Sequence, residues 1–279
     1  MKRSSVLWVL AFVITIASAL YQRMTGPTYP ASGKAVVGGT TLSYRLLRSN
    51  ETDEDAPVKV SVDGDGVLGT VEWKRHNVAE AWNTIPMKDS ARVLSAWLPR
   101  QPMAGKLDYH VLASKGGETL VLPAEGVVTI RFKGRVPLAI LLIHIAAMFS
   151  AMMLSMRTGL EFFNPESRLR PLVLWTIGVL AFGGLVLGPI VQKYAFDAYW
   201  TGWPFGHDLT DNKTFLALLG WVVTFFMLKK AKRPAAWALG ACILMFAVYM
   251  IPHSVLGSEL DYNAQKTPPA VNTSTPQNP

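Results

Sequence analysis

One cysteine, Cys242, is all that 279 residues contain. Its solitude excludes an internal disulfide, a thiolate zinc cluster and a Cys-x-x-Cys redox pair. Charge is scarce too: Asp, Glu, Lys and Arg make up 16% of the chain, against roughly 25% in an ordinary soluble domain. Histidine occurs five times, never in a His-x-x-x-His or His-Glu-x-x-His spacing. No Gly-x-Ser-x-Gly elbow and no Walker phosphate loop occurs, so the local hydrolase and nucleotide signatures are missing. What the chain has in quantity is apolar residues, 50% of the total. That is too apolar for a disordered chain, and a mean hydropathy of +0.25 points to a membrane protein.

A helix needs ~20 mostly apolar residues to cross ~30 Å of hydrocarbon. Residues 136–156 meet this with His144 as their only ionisable side chain, and 171–192 meet it with none. Residues 234–252 are uncharged. The run 214–228 is shorter, but Lys213 and Lys229 flank it and can reach the two interfaces. Four helices are expected from these runs, forming a bundle over 134–258. A further apolar segment comes after Lys2 and Arg3 and closes on Ala17-Ser18-Ala19, the small-x-small pattern of signal cleavage. Its length favours an uncleaved transmembrane anchor over 1–22, and both readings export the residues from 23 onward, up to the next apolar run.

Basic residues set the orientation. Lys229, Lys230, Lys232 and Arg233 lie between the last two apolar runs, and Arg157, Arg168 and Arg170 lie between the two before them. All share a side with Lys2 and Arg3 if the N-terminus is cytoplasmic. The expected place is then a bacterial inner (plasma) membrane, with 23–133 and the C-terminus exported. The formal charge of +8 is assigned to this topology, and no nucleic-acid partner is expected.

Between the anchor and the bundle the pattern changes to short alternating runs between turn signals. Leu42, Tyr44 and Leu46 alternate with polar residues, as do Val58, Val60 and Val62 and then Val71 and Trp73. Further strands fit 92–98, 106–113, 118–122 and 127–133. Seven or so strands in about 100 residues is the spacing of an immunoglobulin-like sandwich, with Trp73, Trp82 and Trp97 expected in its core. The stretch Gly105-Lys106-Leu107-Asp108-Tyr109-His110-Val111 resembles the Tyr-x-Val strand of fibronectin type III domains. The Trp73 strand is similar to an earlier core strand of that fold. As a whole, the chain resembles uncharacterised bacterial multi-pass membrane proteins. The likeness rests on Tyr-Gln-Arg-Met-Thr-Gly-Pro at 21–27 and Asp-Leu-Thr-Asp-Asn-Lys-Thr at 208–214. That resemblance implies an exported β-sandwich on a membrane α-helical bundle and brings no activity. A disordered exported tail over 259–279 completes the expected fold.

Ionisable groups within a membrane are costly, so His144 is the candidate cofactor-binding residue; a plain hydrogen bond to a neighbouring helix is the competing reading. The outer face collects His207, Asp208, Asp211, His253, Glu259 and Asp261. Of these His207, Asp208, His253 and Glu259 are the candidate ligands of a divalent metal. A haem held by His144 and His253 is disfavoured. His144 lies about 12 Å below Val136 at 1.5 Å per residue, His253 comes just past the outer end of the last run, and axial nitrogens stand only ~4 Å apart. Structural roles compete here also: Asp211 with Thr210 as a helix cap, and Asp208 as a loop holder. The aromatics from Tyr194 to Phe205 read as an interfacial belt. Gly184 and Gly188 form a Gly-x-x-x-Gly that lets backbones approach closely. The function expected is non-enzymatic: a binding or complex-stabilising component that meets an envelope protein through its sandwich. The alternatives are a redox or metal-binding membrane protein and, more remotely, a zinc-dependent membrane hydrolase.

Overall fold

The computed structural model describes residues 3–164, 168–252 and 259–262. A long helix, α1 (Arg3–Thr25), leads into eleven strands. These are β1 (Ala31–Val37), β2 (Thr40–Leu46), β3 (Ser49–Glu51), β4 (Ala56–Val62), β5 (Leu68–Arg75), β6 (Asn83–Pro86), β7 (Lys88–Ser90), β8 (Val93–Leu98), β9 (Lys106–Lys115), β10 (Glu118–Leu122) and β11 (Val128–Lys133). One sheet has the order β1-β2-β4-β8-β7, the other β3-β11-β9-β5-β6, with β10 hairpinned onto β9.

Period-two alternation decides which side chains face inward. In β4, Ala56, Val58, Val60 and Val62 are buried while Lys59 and Ser61 point out. In β9, Leu107, Tyr109, Val111 and Ala113 are buried. One core joins Leu42, Val60 and Leu94 of the first sheet to Val71, Ile130 and Phe132 of the second. The Tyr109 phenol is buried there and donates to the carbonyl of Leu47 at 2.7 Å, which satisfies its one polar atom.

The tryptophans differ from expectation. Leu94, Ala96 and Leu98 take the inward positions of β8, so Trp97 points out and is 50% exposed. Trp73 packs only partly against the core, and Trp82 lies edge-on to His110 at 4.8 Å. Aliphatic residues with Tyr109 and Phe132 fill the sandwich instead.

After β11 come α2 (Leu138–Gly159) with a 3-10 turn at Leu160–Phe163, and α3 (Leu169–Ala181), which runs through a π-helical stretch, Phe182–Leu187, into α4 (Gly188–Phe196). The last two helices are α5 (Leu209–Lys230) and α6 (Pro234–Met250). Four helical stretches are long and apolar enough to cross a membrane: Arg3–Thr25, Leu138–Phe163, Leu169–Phe196 and Leu209–Lys230. These mark a membrane protein. α6 is apolar but has 17 residues, about 26 Å at 1.5 Å each.

α1 belongs to the bundle. Leu7, Ala11, Thr15 and Ser18 recur at three- and four-residue spacing and are buried, and Ala11 joins the same core as Val173, Trp221 and Met245. The Gly-x-x-x-Gly acts within the chain. A Cβ on Gly184 would stand 2.5 Å from the Thr214 methyl, so the glycine brings α5 against the π-helical stretch.

Candidate functional site: the junction of sandwich and helices

β11 passes directly into α2, and the junction is fastened there. The Gly134 N–H donates to the carbonyl of Ala195 at 2.9 Å, at the end of α4. A Cβ at 134 would collide with the Tyr194 carbonyl oxygen, so only glycine permits this approach. Three residues earlier, the buried Arg131 guanidinium lies 3.9 Å from the centre of the Phe196 ring. Burial pushes its pKa down, and the carboxylates of Asp208 and Glu259 oppose that shift. Arginine stays charged throughout, so a desolvated cation sits between sandwich and bundle.

Residues 259–262, expected within a disordered tail, are instead strapped to the sandwich. The Leu260 N–H donates to Ala104 at 3.1 Å. Lys106 and Asn77 donate to the Glu259 carboxylate at 2.7 and 2.9 Å. Tyr262 is buried, and its hydroxyl accepts from the Lys106 N–H at 3.0 Å. Burial opposes ionisation of Glu259, but the bond and charge of Lys106, the Asn77 bond and the charge of His76 outweigh it, holding the carboxyl below its ordinary value. A buried tyrosine with its hydroxyl satisfied supplies the anchor that a polar tail lacks. Residues 263–279 lie outside the described residues.

The polar stretch 208–214 builds a roof over the helices. Asp208 is the N-cap of α5, accepting from the Thr210 N–H at 2.7 Å. Asp211 accepts from the Thr201 and Gly202 N–H groups at 2.7 and 3.0 Å and from Gln192 at 3.3 Å. Asn212 accepts from Trp203 at 2.6 Å. Lys213, itself buried, donates to the Ile251 carbonyl at 2.7 Å beyond the end of α6. Cap and loop holder are thus exchanged relative to the sequence reading. α5 starts at Leu209, ahead of its apolar run, which puts Asp208 at the cap and Asp211 one turn inside.

Beneath this roof His144 donates from Nδ1 to the carbonyl of Gly183 at 3.0 Å. The acceptor lies in the π-helical stretch, a distortion frequent at functional sites. His144 borders two cavities. One, of about 170 Å³, is lined by Gln192, Asp208, Asp211 and Thr214 under Arg131 and Phe196. The other, of about 180 Å³, is lined by Thr15, Ser18, Met152 and Tyr249.

The candidate metal ligands are spread over these features. His207 is exposed in the loop before α5, Asp208 caps that helix, and Glu259 sits on Lys106 at the sandwich. His253 lies outside the described residues. Among the described residues, no three or more His, Cys, Asp or Glu side chains are grouped so as to hold a metal ion. Of the loop aromatics, Tyr199, Trp203 and Phe205 are exposed and Phe196 is taken up by Arg131. Sequence reasoning missed Arg131. Its signal is a cation in the otherwise apolar end of the Val128–Phe132 run. Compared with family models, curated proteins and solved structures, the chain matches none.

Proposed function

We propose that the chain is an integral protein of a bacterial inner membrane whose exported sandwich binds and steadies an envelope protein partner, without chemistry of its own. One observation carries this reading: the outward face of the first sheet is open and carries an exposed tryptophan beside lysines without ion pairs among the described residues. Trp97 is half exposed opposite Pro57 of β4. Lys34 and Lys59 are exposed on the same face, and neither has an ion pair among the described residues. Tryptophan is among the residues most enriched at interface hot spots, and lysines around it favour an acidic partner through charge complementarity.

The strand order supports a fibronectin type III-like, immunoglobulin-like sandwich. Taken in chain order as strands A to G, β2-β4-β8-β7 stand as A-B-E-D and β11-β9-β5-β6 as G-F-C-C′. The cytoplasmic placing of the N-terminus rests on the basic residues. Arg157, Arg170, Lys229, Lys230 and Arg233 gather at the helix ends opposite the sandwich.

The test is a photoreactive residue at 97, irradiated in native membranes. A discrete adduct is expected, and Lys34→Glu with Lys59→Glu should abolish it. A probe that yields no adduct at 97 or 59 would overturn the reading, as would an adduct indifferent to the two charge reversals.

A further inference from the structure

Beside the roofed chamber, and sharing Arg131 and Phe196 with it, a larger cleft of about 710 Å³ opens between the sandwich and the ends of α1, α2 and α4. That volume lies within the ~300–1,000 Å³ of ligand sites. Its two walls differ in chemistry. The sandwich wall and the end of α1 supply Arg23, Arg45, Arg48 and Lys133, and the helical wall supplies Leu141, Val191, Ala195 and Phe196. None of those four cations has an ion pair among the described residues. Two carboxylates, Glu51 and Glu54, also line the cleft. Glu51 is bound to Arg135 at 2.7 Å, and Asp53 shares that arginine at 3.1 Å, which leaves Glu54 to offset one of the four cations. Uncompensated positive charge therefore remains directly above an apolar floor.

A site cationic at one end and apolar at the other fits an amphiphile with an anionic head, and helix ends are where headgroups lie. We infer that this cleft binds one anionic phospholipid from the adjoining leaflet. Its phosphate meets Arg45, Arg48, Lys133 and Arg23, and an acyl chain lies along Leu141, Val191 and Phe196. Guanidinium pairs phosphate oxygens in a bidentate fork, while a headgroup carrying its own cation is repelled by the same arginines. The inference rests on the helices spanning the bilayer with the sandwich at headgroup level. It does not depend on which protein the sandwich meets.

The experiment uses the full chain, delipidated in detergent and titrated with phosphatidylglycerol or phosphatidylcholine, with bound lipid counted by native mass spectrometry. One phosphatidylglycerol per chain is expected, at least about tenfold tighter than phosphatidylcholine. Arg23, Arg45 and Lys133 are exposed, so Arg23→Gln with Arg45→Gln and Lys133→Gln should leave the fold intact. A headgroup contact is worth about fivefold in affinity per cation, so the triple variant should bind about a hundredfold more weakly. Lys34→Gln with Lys59→Gln and Lys88→Gln removes equal charge from elsewhere on the sandwich and should leave lipid binding unchanged. That same control disturbs the proposed protein-binding face, so the two readings fail separately. Equal affinity for both lipids, an unaffected triple variant, or displacement of lipid by inorganic phosphate would each overturn the inference, the last by showing a site for the free anion.

Discussion

Replacing Glu161 with alanine is expected to destabilise the bundle by about 3–5 kcal/mol, the cost of leaving one member of a buried ion pair alone. Arg157 and Glu161 are 3% and 2% exposed and form an ion pair one turn apart. Asn164 donates to the same carboxylate at 2.7 Å. The guanidinium also reaches Ser4 at 3.3 Å and lies 5.4 Å from the Trp8 ring, so the pair fastens α1 to the far end of α2. Alanine at 161 leaves this cation desolvated without the carboxylate that balances its charge. Converting both residues to apolar ones, Arg157→Met with Glu161→Leu, removes the charge and its partner together and should recover most of the loss. Chaotrope unfolding in detergent measures both variants. A Glu161→Ala protein within about 1 kcal/mol of the parent, on the scale of an exposed pair, would show that the pair does not hold the bundle.

The second large effect is expected at Asp211. One carboxylate oxygen holds the Thr201 and Gly202 N–H groups and Gln192, and the residue is 8% exposed. Alanine strands two backbone donors in the interior at about 1–3 kcal/mol each, so a loss of about 2–6 kcal/mol is expected. The loop 197–207 should then become a protease target. Asn at 211 keeps an acceptor in place and should lose less. Limited proteolysis beside thermal unfolding separates loop release from global failure. An Asp211→Ala loop as resistant as the parent's would contradict the roof described here.

The strands β2, β4, β5, β8 and β9 are legible in the sequence because each buries mainly one face and so alternates, and β10 and β11 are legible as short runs of strand-forming residues between turns. β1, β3, β6 and β7 are not. They lie at the ends of the two sheets and bury almost nothing: none of the residues in β3, β6 and β7 is buried. The misplaced Trp97 has the same physical origin, since alternation fixes which residues share a face but not which face is the core. In the site, His144 is legible as the only ionisable group in its run. Its acceptor is not, because Gly183 offers a carbonyl through a π-helical distortion that no local pattern announces. Glu259, Tyr262 and Lys106 meet across more than 150 residues of sequence, and the polarity of the tail gives no hint of the strap.

Rigid seating of the sandwich on the helix ends underlies both the proposed partner face and the lipid cleft, and pulsed electron resonance measures it directly. Spin labels at the exposed positions Lys59 and Lys229, introduced with Cys242→Ala, report the distance from the outward sheet face to the far end of α5. A single narrow distance distribution is expected in lipid nanodiscs. Gly134→Val should broaden it, because a side chain at 134 collides with the Tyr194 carbonyl. A broad distribution in the parent protein, of the kind a domain tumbling on a linker gives, would contradict the account.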